Sequence, residues 1–337
     1  MIAVTIAGLG MYAPERVVTN EELAPRLGTT AAWIEERTGI RCRRFAPEGV
    51  ATSEIAVPAA RQALEMARAT PAEVDLIVFA TLSPDHHFPG AGCYFQARMG
   101  MEGTPVLDIR NQCSGFLYGL GVGRAMIQSG ASRSVLVVGA EIHSHALDLS
   151  PRGKDVAALF GDGAGAVLLR RDDEAPGGGG VLSVHLHADG RYADLLAQKI
   201  WDIRRKPYIQ HEGTVGVVAP EHLWAHMQGQ EVFRWAIRRM VESVNEACAA
   251  NSITTGDLDL VIPHQANRRI NECVVDMVGV PREKCIHTIE EFGNTTAASI
   301  PMAMATALER GLLRRGSRVM LTAFGSGFTW GSAYVVF

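Results

Sequence analysis

The sequence repeats itself once, and that constrains the fold more than any other feature. EVDLIVFAT (residues 73–81) resembles DLDLVIPHQ (257–265), with Asp75 and Asp259 184 positions apart. GASRSVLVVGAE (130–141) resembles RGSRVMLTAFG (315–325), with Arg133 and Arg318 185 positions apart. Two matches at nearly one offset indicate a duplicated unit, and the offset is far too long for a solenoid repeat. Apolar, strand-like runs (75–80, 105–109, 134–139, 164–169, then 259–263, 317–323, 332–337) alternate with helical stretches. That pattern predicts an α/β fold of βαβ units with buried sheets. The 337 residues accommodate two halves, 1–175 and 176–337. MIAVTIAGLGMYAP, at the start, lacks a basic flank and a cleavage site and reads as a first strand, not a signal peptide.

Each copy also carries a helix of small residues. In residues 113–130, Phe116, Leu120 and Ile127 keep a helical period and Gly130 suits a C-cap. The interior glycines 115, 119, 121 and 123 each cost ~1 kcal/mol relative to Ala, a cost expected where other groups approach closely. NTTAASIPMAMATALERG (294–311) is the counterpart. The pair predicts two buried central helices packed against one another. Pro301 either kinks the second or sits in its first turns, and the sequence leaves both open.

Several function classes are excluded. Apolar residues at 47% rule out disorder, and a net charge of −4 supplies no global basic field for nucleic acid. An acidic partner must therefore dock on a local basic patch. No run of 18 apolar residues predicts a membrane span. The six cysteines form no CxxC pair, which argues against a zinc ribbon or disulfide framework and suits a reducing cytoplasm. GLGMYA (8–13) fits a dinucleotide-binding pattern, but Pro14 follows where a helix should open. GDGAGAVLL reads as a tight turn into a buried strand. His86/His87 and His143/His145 have no second ligand cluster, so no metal is expected.

Three residues combine into chemistry. Cys113 lies at a predicted strand-to-helix junction, where the helix dipole and free N–H groups are expected to lower a thiol pKa into the range of roughly 3.5–7.5. His264, in VIPHQANRRI, follows an apolar strand. Asn294, in EEFGNTTAASIP, opens the second central helix. Together they suit a thiolate that takes an acyl group and two donors that stabilise an enolate.

NQCSGFLYGL, PHQAN, GNTTAASIP and AFGSGFTWGSA, with WIEERTGIR and LFGDGAGAVLL, resemble the β-ketoacyl-acyl carrier protein synthase III family of thiolase-like condensing enzymes. The likeness covers essentially the whole chain. It implies a thiolase-like fold in α-β-α-β-α layers and a decarboxylative Claisen condensation of an acyl-CoA with malonyl-acyl carrier protein that initiates fatty acid synthesis. It implies no metal or organic cofactor, a homodimer and a cytoplasmic location. Cys113 would accept the acyl group, while His264 and Asn294 would promote decarboxylation and hold the enolate. The backbone N–H groups of Cys113 and Ser326 would form the oxyanion hole. Trp33 and Arg152 match a pair that sandwiches adenine, and Arg37 matches a CoA phosphate contact. Gly229 and Asn267 fall in the matched CoA and acyl-binding motifs. Phe88 matches a residue that crosses the dimer interface, and Arg234 and Arg269 match carrier-docking positions. Residues 231–248 read as an amphipathic helix with Phe233, Ile237, Met240 or Val241, Val244 and Cys248 on one face.

The chain departs from the family pattern at Ser326 (usually Gly), at Gln230 (usually Asn) and at 197–226, a longer stretch carrying Trp201, Tyr208 and Trp224. The last suggests a starter other than acetyl-CoA. Two alternatives stay open at this level: a homologue from secondary metabolism with another starter or acceptor, and a catalytically inactive acyl-CoA-binding partner subunit.

Overall fold

The duplication extends to individual hydrogen bonds. In the first copy the Thr70 N–H donates to Glu73 Oε2 (2.7 Å); 184 positions on, the Thr254 N–H donates to Asp257 Oδ2 (2.8 Å). Asp75 Oδ2 accepts the N–H groups of Arg133 (2.7 Å) and Ser134 (3.0 Å), and Asp259 Oδ2 accepts that of Arg318 (2.8 Å). Each aspartate precedes a strand and clamps the start of its parallel neighbour, using donors at the sheet rim that would otherwise lack partners. The computed structural model describes residues 2–172, 179–200, 202–204 and 223–337.

The first sheet contains β1 (Ala3–Tyr12), β2 (Leu76–Ala80), β3 (Val106–Ile109), β4 (Ser134–Glu141) and β5 (Gly163–Asp172), in the order β1-β5-β4-β2-β3. The second contains β6 (Gly180–Ala188), β7 (Leu260–Pro263), β8 (Arg318–Gly325) and β9 (Thr329–Val336), in the order β7-β8-β9-β6. Both are mixed. Leu76 lies opposite Val135 across parallel β2 and β4, and Leu260 opposite Val319 across parallel β7 and β8, again at an offset of 184. The remaining pairs of the second sheet are antiparallel. Among the described residues, β3 is echoed only by a bridge between Val261 and Cys285. The expected boundary between residues 175 and 176 lies outside the described residues.

Among the described residues, six longer helices complete the layers: α1 (Ala31–Thr38), α2 (Thr52–Met66), α3 (Gly115–Gln128), α4 (Gly229–Ala250), α5 (Arg268–Val278) and α6 (Ser299–Glu309). The middle layer is α3 and α6. A Cβ at Gly119 or Gly123 would lie 2.7 Å from Val137 or 2.8 Å from Leu169 of the first sheet, and one at Gly121 3.1 Å from Leu186 of the second. These glycines therefore face the sheets, not the other central helix. The two helices approach at their N-terminal ends, where Gly115 faces Ala297. Larger α3 side chains, Leu117, Leu120 and Ile127, share one buried apolar cluster with Ile300, Ala303 and Met304 of α6. Pro301 is the third residue of α6, in the first turn, where its missing N–H costs nothing.

Outside the first sheet, α2 presses its backbone onto Gly8 and Gly10. Outside the second, α4 and α5 bury Val244, Ala247 and Val275 with Met320 and Tyr334. The result is the thiolase-like α-β-α-β-α stack. The buried face of α4 runs through Val232, Ala236, Met240, Val244 and Ala247. Phe233 and Ile237, expected on that face, are only half-buried. No helix among the described residues is long and apolar enough to cross a membrane.

Candidate active site

Both copies enter their central helix through the same strained turn. Gln112 (φ +43°) and Thr296 (φ +49°), 184 positions apart, are non-glycine residues in the left-handed region. Cys113 follows the first and Ala297 the second, so only one copy carries a nucleophile. Cys113 is 8% exposed. Backbone N–H groups of Cys113 and Ser326 favour the ionised sulfur, yet the thiol is pushed up to about 12. Burial is the larger cause and the nearby Glu141 carboxylate the second. This corrects the expectation of an acidified thiol: at the end of α3 desolvation outweighs the N–H groups.

His264 follows β7, with its N–H donating to Thr322 O (2.8 Å). Its Nδ1 lies 2.7 Å from Ser299 Oγ, and its Nε2 is buried with no hydrogen-bond partner among the described residues. Ser299 Oγ also accepts the Gln265 N–H (3.3 Å), and when its own proton goes to Nδ1 the imidazole carries its proton on Nε2. Burial pushes His264 down to about 3, so the ring is neutral. Asn294 is fixed across the halves: its N–H donates to Leu159 O (2.8 Å) and its carbonyl accepts from Gly161 (3.1 Å). Its Oδ1 accepts the Thr296 N–H (2.9 Å), which identifies the remaining amide group as the NH2 donor.

Cys113, His264 and Asn294 line one pocket of about 100 Å³, walled by apolar residues such as Phe160, Val232, Ala236 and Phe324. An outer cleft of about 550 Å³ is lined by Trp33, Arg37, Gln230, Arg234 and Arg269. Leu159, Met227, Gly229, Phe233 and Asn267 line both, so the cleft leads inward to the sulfur. Asn267 caps α5 by accepting the Arg269 N–H (2.9 Å) and ties it to α1 by donating to Arg37 O (2.9 Å). The Arg269 guanidinium lies over Phe233 (5.6 Å), and Arg234 pairs with Glu231 (3.1 Å). A long, narrow path with cations at its mouth and a thiol at its end suits a thioester on a flexible, phosphate-bearing arm.

Residues 107–190 match the family model of 3-oxoacyl-[acyl-carrier-protein (ACP)] synthase III, and residues 248–337 match that of its C-terminal region. The chain is 48% identical over 337 residues to the β-ketoacyl-[acyl-carrier-protein] synthase III of Rhodospirillum rubrum, covering 98% of each. The chain belongs to the β-ketoacyl-acyl-carrier-protein synthase III family. It is an enzyme. Its fold superposes on the crystal structure of the Aquifex aeolicus 3-oxoacyl-[acyl-carrier-protein] synthase III with a TM-score of 0.89 at 35% identity, covering 100% of both chains. The Pseudomonas aeruginosa 3-oxoacyl-(acyl carrier protein) synthase III gives 0.88 at 38% identity, covering 99% of this chain and 98% of that one.

Two cations lie over the Trp33 ring: Arg37, 5.2 Å from its centroid, and Lys154, with Nζ 4.8 Å from it. Arg152, expected there, is bound to Asp148 (2.7 Å), and among the described residues neither it nor Lys154 lines the cleft itself. Arg152 and Lys154 sit on either side of a turn, and Asp148 captures the first. Phe88 is 77% exposed and lies outside both cavities. Ser326 needs no glycine: Gly327 takes the positive φ (+134°), while the Ser326 hydroxyl donates to Leu196 O. Leu196–Ala197 pairs with His226–Met227, so the base of the long 197–226 stretch supplies Leu196 and Met227 to the pocket. Trp201 and Tyr208 lie outside the described residues, and Trp224 is half-buried.

Sequence reasoning missed Lys154, Ser299 and Glu141. Glu141 is fully buried, accepting from Thr81, Leu82 and Ser83, and burial raises its carboxyl to about 7. Its only sequence signal is an acid ending an otherwise apolar strand.

Proposed function

We propose that this enzyme condenses an acyl-CoA with malonyl-acyl carrier protein, releasing CO2 and 3-oxoacyl-acyl carrier protein, and so initiates fatty acid synthesis through an acyl-Cys113 intermediate. The convergence of Cys113, the Nε2 of His264 and the amide of Asn294 on one apolar pocket at the end of a basic-mouthed cleft carries this reading. Cys113 starts as a neutral thiol. Its sulfur attacks the acyl-CoA carbonyl, the C–S bond to CoA breaks, and the thiol proton ends on the departing CoA thiolate. The backbone N–H groups of Cys113 and Ser326, both close enough to favour a charged sulfur, would hold the oxyanion as it forms. The malonyl thioester then loses CO2, and the electron pair of the broken C–C bond moves onto the thioester oxygen. Neutral donors, His264 Nε2–H and Asn294 NH2, hold that enolate. Its carbon attacks the Cys113 thioester, and the sulfur leaves and regains a proton. Loss of CO2 generates the carbanion, so no strong base is required.

Trp33, which lines the cleft and has Lys154 over its ring, would hold adenine and Arg37 a phosphate, through stacking and cation attraction. Arg234 and Arg269 would steer an acidic carrier protein. The homodimer belongs to the same reading: β3 is a sheet edge with Leu107 43% exposed, and Asp108 Oδ1 accepts the Ala91 and Gly92 N–H groups (3.2 and 3.0 Å). That anchors the segment bearing Phe88 beside the edge, so pairing of two such edges would carry Phe88 towards the partner. Six free cysteines suit a cytoplasmic setting. Intact-protein mass spectrometry after incubation with acyl-CoA tests the reading. An acyl adduct localised to Cys113, discharged by malonyl-acyl carrier protein with CO2 release, is expected; no adduct would overturn it.

A further inference from the structure

One buried histidine beside the pocket takes no step in this reaction. His143, just after β4, is 7% exposed. Its N–H donates to Asp162 Oδ1 (2.7 Å), and its ring packs 4.4 Å from that of Phe160, a wall of the inner pocket. Its Nε2 lies 2.5 Å from Thr296 Oγ1. Thr296 is the fully buried, left-handed residue whose N–H fixes Asn294 Oδ1 at 2.9 Å. A continuous chain of contacts therefore runs from the first half, through His143 and Thr296, to the Asn294 amide in the second. No other side-chain partner is recorded for the Thr296 hydroxyl among the described residues.

We propose that His143 is a positioning residue that tethers the strained Thr296 turn and thereby keeps the NH2 face of Asn294 directed into the pocket. The tether works in either tautomer, since a hydroxyl donates or accepts with equal ease. Removing it leaves a buried hydroxyl without a partner at a backbone conformation that side chains disfavour. The turn then relaxes and carries the amide away from where the enolate forms. Cys113 is held by other groups, namely Gly325 and the Ser326 N–H, so its acylation does not depend on this tether. His143 thus acts on the second half-reaction alone, and the inference rests on the acyl-enzyme reading above.

The test uses the full-length enzyme with His143→Leu, His143→Gln, Thr296→Val and the Leu/Val double variant. Single-turnover acylation by acyl-CoA is followed by intact mass, and condensation by CO2 release from malonyl-acyl carrier protein. His143→Leu should lower condensation kcat about 10-fold while leaving the acylation rate and the malonyl-thioester KM within about twofold. His143→Gln, which retains a hydrogen-bonding group of similar reach, should recover most of the loss and separates the tether from simple misfolding. Thr296→Val should match His143→Leu, and the double variant should be no worse than either. Equal slowing of both half-reactions, undiminished condensation in His143→Leu, no recovery in His143→Gln, or losses that multiply in the double variant would each overturn the proposal. Unaltered enzyme that never acylates on Cys113 would instead refute the acyl-enzyme reading, so the two failures are told apart.

Discussion

Gly325→Ala tests how Cys113 is held. A methyl group at Gly325 would sit 2.9 Å from Cys113 Cβ and 3.0 Å from its backbone nitrogen. Carbon atoms rest about 3.5–4.0 Å apart, so the overlap is roughly 0.6–1.1 Å. Gly325 has no positive φ, which leaves this clash as the whole perturbation. The obstructing atoms are the backbone and Cβ of the nucleophile, with no flexible side-chain end to swing aside. Overpacking of this kind costs ~1–3 kcal/mol, which a domain stable by ~5–15 kcal/mol survives. Reaction geometry is less tolerant, because displacement by about 1 Å costs on the order of 10²-fold. Acylation by acyl-CoA should therefore fall ~10- to 10²-fold while the protein stays folded. Single-turnover acylation followed by intact mass, with a thermal melt alongside, measures both. Gly256→Ala is the control, since a methyl group there would lie 3.5 Å from Thr254 Oγ1, ordinary contact. Folded Gly325→Ala enzyme that acylates at the unaltered rate would show that this close approach does not position the sulfur.

Three other outcomes are expected. His264→Ala and Asn294→Ala should each lower condensation ~10²- to 10³-fold while sparing acylation, and loss of acylation in both would contradict the division of roles. Lys154→Ala should raise the KM for acyl-CoA ~2- to 5-fold, the worth of a cation–π contact, and Arg152→Ala should change it less than Lys154→Ala does; initial-rate kinetics reversing that order would restore Arg152 to the adenine site. Burial depresses His143 and His264 to about 3, so below an unfolded value near 6.5 the unfolded chain binds more protons at both and stability falls as pH falls, by ~1.4 kcal/mol per pH unit for each. Glu141, raised to about 7 in the folded state, works in the opposite sense between roughly 4.5 and 7 and offsets one histidine there. His143→Leu should remove about one proton from that slope, and urea unfolding at pH 5, 5.5 and 6 that shows an unchanged slope would be evidence against the buried, neutral state of His143.

The sequence alone determined the duplication and most strand positions, and it singled out Cys113, His264 and Asn294, which the structure brings to one pocket. Strands are legible because apolar runs and turn residues act locally, and the repeat is legible because both copies still use an acid to clamp the same strand start, as at Asp75 and Asp259. Only the tertiary structure decided the state of the thiol, since desolvation of Cys113 and the proximity of Glu141 come from elements distant in the chain. It also decided which of two nearby cations faces Trp33, because Asp148 binds Arg152 and leaves Lys154 free to cover the ring. The exposed face of α4 followed the same logic: Phe233 matches a helical period as well as Val232 does, and the cleft beside it chose between them. Period and residue type are properties of a segment, whereas burial and charge proximity exist only once distant segments meet.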